Sequence, residues 1–552
     1  MGENAAAAII LAIFLLTPLA ARIKRARRRR LDAATRWGED DRPHALDAQE
    51  LHDVGAYCRE RSQKEPCAVD ALTWNDLNLD DVFLYLNRAS SGVGEEVLYD
   101  MLHRTDVPVD VLERRERIQR IALADEHARA AMRRALRRQG RRRFHGASGI
   151  LFHPKARQIA HPNLYLLLGI APTASVLLAV LIHPALFLAT AALFAVNLAV
   201  YYRSSRVFMR EIAAVRHIAA VIETARSLMG VLPQVLADIA EDLHECVDAL
   251  DSVRRWNALF AMQRVSEFDF LTDYIRIFFQ LDMVCLGRLG AHFVRESERL
   301  CRLYALVGEI DACLALASLR AARADTCFPV FDEEMRVKAQ GMVHPLIKQP
   351  VPCDVTLKGG ALITGSNASG KSTFIKAVAL NAILAQTLCL GMAASLCLPR
   401  MRVVTSMALR DSVQGGESYF VVEVRSLRRM LDAALGGERV LCCVDEILRG
   451  TNTTERIAAS CALLRALDRA NCLPVAATHD LELTRLLCEY RQLHFAETLT
   501  GEGMTFPYTL MEGPSTTKNA IALMRQMGFP LELTQEAEES AKRFEALGKW
   551  AM

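Results

Sequence analysis

The sequence has no Cys-x-x-Cys pair, although it contains 15 cysteines among 552 residues. Structural zinc sites and redox-active dithiols commonly show that spacing, so neither kind of site organises this chain. Cys442 and Cys443 lie together inside an apolar run, which favours buried free thiols over disulfide bonds. We therefore expect the protein in a reducing compartment.

A large net charge and internal repeats are also missing. The formal net charge is +3, so overall charge favours no particular class of partner. From Arg203 to Pro329 there are 15 Arg, no Lys and 17 Asp plus Glu, so this segment is not a basic nucleic-acid footprint. We find no internal repeat and no low-complexity segment, and a chain of this length predicts several domains.

Three long apolar segments are present, and the first is Ala5–Ala21, at the short end for a membrane span. A secretory signal carries its positive charge before the apolar run. Here the charge follows it, as Arg22, Lys24, Arg25 and Arg27–Arg30. This order predicts an uncleaved anchor whose C-terminal end faces the cytoplasm.

The other two apolar segments, Leu164–Ile182 and Ala185–Tyr202, are joined by His183-Pro184. Residues 164–202 contain no charged residue, whereas Lys155 and Arg157 precede them and Arg203 and Arg206 follow them. Basic flanks mark the cytoplasmic side, so the pair predicts a transmembrane hairpin and a multi-pass membrane protein. The alternative is a buried hairpin in the core of a soluble protein.

A phosphate-binding loop is predicted at "GSNASGKST", which fits Gly-x-x-x-x-Gly-Lys-Ser/Thr and is preceded by a strand, "VTLKGGALIT", and followed by a helix. The glycines let backbone N–H groups surround phosphate oxygens at a helix N-terminus. Lys371 is expected to reach the β- and γ-phosphates of ATP, and Ser372 to ligate Mg²⁺. The predicted nucleotide-binding residues are Gly365, Ser366, Asn367, Ala368, Ser369, Gly370, Lys371, Ser372 and Thr373.

Two later apolar runs end in polar side chains suited to the same chemistry. Val440–Val444 predicts a buried strand that ends at Asp445 and Glu446. Asp445 is expected to hold Mg²⁺, and Glu446 to polarise the attacking water. A second short strand ends before His479, which we predict to sense the γ-phosphate. A bound ATP requires this part of the chain to lie on the cytoplasmic side.

The remaining segments predict mostly helices. Residues 79–126 indicate three helices, broken at Ser90–Gly92 and near Pro108. Residues 203–325 show apolar residues at helical spacing, the α/β region begins near Phe328, and the tail indicates one or two closing helices.

These motifs resemble the ATPase domain of the MutS mismatch-repair family. "TGSNASGKST" is similar to its phosphate loop, with Ser366 and Ser369 replacing the usual Pro and first Gly, and "DEILRGTNTTE" resembles Asp-Glu-x-Gly-Arg-Gly-Thr. "AATHDLELT", "HPLI" and the ending "YTLMEGPSTTKNAIALMRQMGFP" also fit, and Cys353 sits where an Asn is common. "GGESYFVVEVRSL" is similar to the Ser-Thr-Phe-Met-Val-Glu signature. More weakly, "LNRASSGVGEEVLYDML" resembles the start of the helical core.

The resemblance implies a homodimer in which ATP sits between two ATPase domains and Ser418 reaches the partner's γ-phosphate. It also implies binding of mismatched or branched DNA in a repair role. Members that read mismatches carry an N-terminal domain with a Phe-x-Glu wedge, and the first residues here are instead an apolar and a basic run. The two Phe-x-Glu matches, at Phe331 and Phe495, belong to the ATPase region.

Basic charge is concentrated in residues 22–30 and 133–143, where Arg134, Arg137, Arg138 and Arg141 share a helical face. Their position beside apolar segments favours anionic lipid headgroups, with DNA phosphates and a plain solvated face as alternatives. Membrane lipid is thus an expected partner through residues 5–21 and 164–202. An ABC-type transporter is disfavoured because "QGGESYF" replaces Leu-Ser-Gly-Gly-Gln and three spans are few.

The predicted fold class is an α/β P-loop NTPase domain of ABC/MutS type, preceded by an all-α lever region with transmembrane helices. The predicted function is a membrane-anchored, MutS-like ATPase. The alternative is a membrane remodelling or scaffolding ATPase with no nucleic-acid partner. The predicted domains are 1–37 (anchor and basic run), 38–160 (linker and first helical core), 161–203 (transmembrane hairpin), 204–327 (helical lever) and 328–552 (ATPase with closing helices).

Overall fold

The computed structural model describes residues 37–39, 46–139, 146–154, 159, 161–250, 275, 277–366, 369–407, 419–448, 450–469, 471–496, 498–500, 503–515 and 520–547. Several predictions lie outside these ranges. They concern the anchor at 5–21, the basic run at 22–30, and the residues Asn367, Ala368 and Ser418.

The N-terminal part of the described chain is helical, and its helices start at polar caps. Asp47 caps the first helix, Asp70 the third and Ser91 the fifth, each accepting from a backbone N–H. The predicted breaks near Ser90 and Pro108 both separate helices. The helices are α1 (Ala48–Val54), α2 (Ala56–Ser62), α3 (Ala71–Asp76), α4 (Leu79–Leu86), α5 (Gly92–Leu102), α6 (Val109–Ala124), α7 (Glu126–Gln139) and α8 (Ser148–Phe152).

The apolar pair forms a helical hairpin of α9 (Pro162–Leu181) and α10 (Leu186–Val207). Both helices are long and apolar enough to cross a membrane by length and composition. Much of the apolar surface is exposed, with Leu181 at 72% and Leu188 at 79%. The hairpin is therefore not the buried core element of the alternative interpretation.

Polar contacts connect the hairpin to the helices that follow it. Tyr201 donates to Asp282 Oδ2 at 2.8 Å, and Arg216 donates to Asp282 Oδ1 at 3.1 Å. Because one carboxylate joins α10 to two helices that follow it, the hairpin is fastened to the helical region. These later helices are α11 (Met209–Met229), α12 (Ala237–Ala249), α13 (Leu281–Arg295) and α14 (Ser297–Ala322).

The C-terminal part is an α/β unit with two main sheets. A six-stranded sheet has the order β12-β9-β4-β8-β7-β6 and is parallel except for β12, and a four-stranded sheet has the order β1-β5-β2-β3. The strands are β1 (Val330–Phe331), β2 (Arg336–Met342), β3 (Cys353–Lys358), β4 (Ala361–Thr364), β5 (Ser395–Leu398), β6 (Arg402–Ser406), β7 (Val440–Asp445), β8 (Cys472–Ala477), β9 (Arg491–Phe495), β10 (Thr498–Thr500), β11 (Gly503–Thr505) and β12 (Leu510–Glu512). The helices are α15 (Lys371–Leu388), α16 (Tyr419–Leu435), α17 (Thr453–Leu467), α18 (Glu482–Leu486), α19 (Ala520–Gln526) and α20 (Leu531–Leu547).

Alternating side chains of the parallel strands fill two separate cores, as the two-residue period of a strand requires. Leu441 and Cys443 face a core that contains α15, whereas Cys442 and Val444 face a core that contains α16 and α17. The six-stranded sheet is thus covered on both faces. The predicted free, buried cysteines are confirmed, because Cys442 and Cys443 are fully buried and all 15 cysteines are free.

One strand prediction was wrong. "VTLKGGALIT" does not form a single strand, because it divides at Gly359-Gly360 into β3 and β4, which belong to different sheets. Gly359 has a φ of +72°, a left-handed conformation that turns the chain and that side chains with a Cβ rarely adopt. Because of this break, only β4 belongs to the six-stranded sheet, where it is an inner strand, and the phosphate loop follows its C-terminal end.

The helical region and the α/β unit share one hydrophobic core, which includes Val54, Phe83 and Tyr304 as well as Ile375 and Leu473. Polar contacts reinforce this junction at the C-terminus of α15. Arg115 donates to Thr387 O, Gln119 Nε2 donates to Leu388 O at 2.9 Å, and Arg320 donates to Cys389 O.

Candidate nucleotide site

The predicted phosphate loop connects the end of β4 to the start of α15, as expected for a strand–loop–helix unit. Gly365 and Gly370 have φ values of +142° and +110°, so both occupy conformations that favour glycine. A Cβ atom at Gly365 would lie 2.7 Å from the carbonyl oxygen of Phe495. The two fixed glycines of the motif are therefore required by backbone conformation and, at Gly365, by close packing.

Lys371 begins α15 and is almost fully buried, with 4% of its surface exposed. Its Nζ donates to the carbonyl oxygens of Gly365 at 2.9 Å and Ser366 at 2.7 Å. The ammonium group thus lies across the inner side of the loop, close to where the motif predicts phosphates. Ser372 and Thr373 follow on the same turn, with their side chains exposed.

Three other predicted residues lie at the carboxyl ends of neighbouring parallel strands, β7 and β8. Asp445 is the last residue of β7, Glu446 follows it, and His479 lies just beyond β8. His479 Nε2 is 2.7 Å from Glu446 Oε1 and 3.4 Å from Lys371 Nζ. Because the distance to Glu446 is shorter, we assign the hydrogen on His479 Nε2 to a bond with the Glu446 carboxylate. Lys371 Nζ then lies close to the His479 ring without donating to it. The structure therefore brings Lys371, Glu446 and His479 together.

A cavity of about 540 Å³ opens beside this cluster. Its walls include Ser369, Lys371, Ser372 and Glu446 on the phosphate-loop side. Its lining also contains side chains that the motifs did not assign: Met342, His344, Ile347, Pro350, Val351, Cys353, Phe495 and Tyr508. The mixture of cationic, polar, apolar and aromatic side chains suits a ligand with a charged and a ring-shaped part.

The cavity lining contains two titratable side chains that are uncharged at neutral pH, His344 and Cys353. Burial, helped by the nearby Lys376 ammonium, lowers the pKa of His344 to about 4, so its ring is uncharged at neutral pH. Burial raises the pKa of the Cys353 thiol to about 11, with a smaller contribution from Asp354. The resemblance drew attention to Cys353, and the structure places it in the cavity wall.

Two buried oxygen atoms at the site have no hydrogen-bond partner among the described residues, namely Asp445 Oδ1 and Ser369 Oγ. An unsatisfied buried carboxylate oxygen is costly, and a divalent cation would satisfy it. Within the described ranges no group of three or more His, Cys, Asp or Glu is placed to hold a metal ion.

Sequence reasoning missed two polar contacts that support the site. Arg456 of α17 donates to both carboxylate oxygens of Asp480, at 2.6 and 2.9 Å. These two hydrogen bonds fix the loop that carries His479. Glu423 of α16 accepts from the N–H of Leu448, in the turn after Glu446. Glu423 is the last residue of the signature-like "SYFVVE", which was the available sequence signal.

Comparison with known proteins agrees with this geometry. The family model for MutS domain V matches residues 361–545. The "DNA mismatch repair protein MutS" of Natronomonas pharaonis is 34% identical over 255 residues, which is 44% of this chain and 29% of that protein. The protein of the same name from Thermus thermophilus is 32% identical over 249 residues, or 44% of this chain and 30% of that one. "DNA mismatch repair protein MutS 2" of Halobacterium salinarum is 34% identical over 259 residues, with the same shares.

The matched part of this chain thus covers less than a third of the length of these curated relatives. It spans the phosphate loop, both strand ends that carry Asp445 and His479, and most of the C-terminal helices. The fold is an α/β nucleotide-binding unit preceded by a helical region, and residues 361–545 of this chain are similar to domain V of the MutS family.

Proposed function

We propose that the protein is a Mg²⁺-dependent ATPase of the MutS type that works as a dimer. The observation that carries the proposal is the convergence of Lys371, Glu446 and His479 on one cavity, at the end of a glycine-containing loop. Phosphoryl transfer needs positioning and electrostatic stabilisation more than covalent chemistry, and this arrangement provides both.

Each residue has a distinct role in the proposal. The backbone of Gly365–Thr373 and the Lys371 ammonium bind the phosphates, and Glu446 accepts a proton from the attacking water. His479, held against Glu446 at 2.7 Å, orients that carboxylate and contacts the γ-phosphate. Ser372 and Asp445 would hold Mg²⁺, which neutralises developing charge on the phosphates when it is bound.

A dimer is proposed because the resemblance assigns Ser418 to the partner's nucleotide. Exposed apolar residues where α19 connects to α20 support it, since Met527, Phe529 and Leu531 are 73%, 46% and 58% exposed. Contiguous exposed apolar groups of this kind mark protein interfaces. Sedimentation of the wild-type chain with and without ATP tests the proposal, and a monomer under both conditions would contradict it.

The helical region is proposed to act as a lever driven by the nucleotide. Its helices α6 and α14 bind the last carbonyl groups of α15, the helix that begins at Lys371. A shift of α15 when phosphate binds at one end would therefore move both helices at the other end. Three buried hydrogen-bond donors on one helix end make this a stiff connection.

DNA is proposed as the cargo because the most similar proteins reported above are named for DNA mismatch repair. The test is the ATPase rate of the purified protein in detergent with mismatched, branched and fully paired duplexes over a salt series. Stimulation that fades with salt would support DNA binding through phosphate contacts. A rate that no duplex changes at any salt concentration would reject it.

The exposed hairpin of α9 and α10 favours a second candidate function, a membrane remodelling or scaffolding ATPase with no nucleic-acid partner. In both functions the hairpin is proposed to lie in a bilayer, with the ATPase on the cytoplasmic side. Basic residues flank the hairpin and residues 164–202 carry no charge, which is the expected pattern. Stimulation by anionic liposomes but not by DNA would select this function.

A further inference from the structure

The turn after β7 contains two residues in an unfavourable backbone conformation. Glu446 and Leu448 both have a φ of +56°, the left-handed region in which residues with a Cβ are rare. Leu448 occupies the position of a glycine in the family's Asp-Glu-x-Gly-Arg-Gly-Thr segment. Such conformations persist only where surrounding contacts hold them. Residues of other elements must therefore hold this turn in place.

Two kinds of contact fix it. The Leu448 side chain is buried in the second core with Ile447, and its backbone N–H donates to Glu423 Oε1 at 2.5 Å. Glu423 is itself 5% exposed, so this is a charge-assisted hydrogen bond in a region of low dielectric. On the other side, the N–H of Glu446 donates to Ala477 O at 3.0 Å.

Glu423 belongs to the first turns of α16, the helix that begins at Tyr419, directly after Ser418. The same end of this helix makes a second contact with the turn. A Cβ atom added to Gly450 would lie 3.4 Å from the Cβ of Phe420, so the two backbones approach closely there. The start of α16 therefore touches the catalytic turn at Leu448 and at Gly450.

We propose that Glu423 is a positioning residue for Glu446. By holding the Leu448 N–H, it fixes the strained turn and hence the direction of the Glu446 carboxylate. The inference rests on the proposed ATPase function.

The test compares Glu423→Gln with Glu423→Ala in the full chain, with Asp432→Asn as control. Asp432 lies in the last turn of the same helix, at the opposite end from Glu423, and forms an exposed ion pair with Arg428 at 2.8 Å. Glutamine keeps an oxygen acceptor for the Leu448 N–H, whereas alanine removes it. We measure ATP affinity by equilibrium binding, kcat by phosphate release, and Tm to establish folding.

The kcat of Glu423→Gln should stay within about threefold of wild type. The kcat of Glu423→Ala should fall by about tenfold or more at unchanged ATP affinity, because Glu446 would no longer point in the productive direction. Glu423→Ala combined with Glu446→Gln should be no slower than Glu446→Gln alone, because the first residue acts only through the second. The control should match wild type.

Equal kcat losses in the glutamine and alanine variants, or independent losses in the double variant, would overturn the inference. If Glu423→Ala fails to fold, Glu423→Asp serves as the second variant. Aspartate keeps the carboxylate but is one methylene shorter, so it should not reach the Leu448 N–H and should lower kcat without changing ATP affinity. A wild-type kcat in that variant would also overturn the inference. Absence of turnover in the wild-type chain would instead reject the proposed function and this inference together.

Discussion

Replacing Lys371 with alanine should weaken ATP binding by at least tenfold. The ammonium group is buried and donates to two loop carbonyls, at 2.9 and 2.7 Å, which shows that it already lies over the phosphate-binding loop. With ATP bound, it would exchange these acceptors for phosphate oxygens. A charge-assisted hydrogen bond contributes about 1.5–3 kcal/mol, which corresponds to about 10- to 150-fold in Kd. Loss of the donor also removes one hydrogen bond from each of the Gly365 and Ser366 carbonyls and loosens the loop.

The assay is equilibrium titration of the detergent-held protein with a fluorescent ATP analogue and Mg²⁺. Lys376→Ala is the matched control, because it removes the same charge from α15. That side chain reaches Asn78 at 3.2 Å, outside the phosphate loop. The control should change Kd by less than about threefold, because a half-buried charge outside the phosphate loop makes no hydrogen bond to the phosphates. A Kd in Lys371→Ala equal to that of wild type would refute the assignment of the loop.

The remaining predictions concern catalysis, the dimer and pH. Glu446→Gln should bind ATP normally and turn over at least about a hundredfold more slowly, because the proton acceptor is lost; phosphate release at wild-type rate would remove Glu446 from that role. Ser418→Ala should lower turnover and leave nucleotide affinity unchanged, and mixing it with Lys371→Ala chains should restore part of the activity; no restoration would argue against shared sites. Burial lowers the pKa of His344 from 6.5 to about 4, so the unfolded chain takes up its proton first as pH falls. This contribution should reduce the free energy of unfolding by about 2 kcal/mol between pH 7 and 5, and denaturant titrations of His344→Asn should show a smaller loss.

The nucleotide site was predictable because its signals are local in sequence. A phosphate loop needs glycines at fixed positions, and the residue after a buried parallel strand must lie at the edge of the sheet. Gly365, Lys371, Asp445 and His479 could therefore be placed before the topology was known. Parallel strands have their carboxyl ends on one side, so strand order hardly mattered for this part of the prediction.

The supporting contacts were not predictable, because they join residues far apart in sequence. Glu423 and Leu448 come together only when α16 packs beside β7, and no periodicity in either segment encodes that distance. The division of β3 from β4 was missed for a different reason. Gly359-Gly360 was compatible with a strand by composition, and only the positive φ of Gly359 shows the turn.

The hairpin was predicted from hydropathy alone, and its helices match the two apolar runs closely. The polar junction below it was missed. Tyr201, Arg216 and Asp282 are ordinary residues in helical segments, and their meeting depends on how α10, α11 and α13 cross. Sequence patterns show which face of a helix is apolar, but not which partner that face will meet.

The shared core has a consequence for how the molecule unfolds. Gln119 and Arg320 are buried side chains of the helical region, yet the carbonyl groups they bind lie at the C-terminus of α15 in the α/β unit. Separating the two regions would leave those guanidinium, amide and carbonyl groups buried without partners or newly exposed with the apolar surface around them. The two regions are therefore expected to melt together, in one calorimetric transition. The α/β unit is in that sense half of a cooperative unit, and a nucleotide bound at the candidate site should raise the melting temperature of the helices as well.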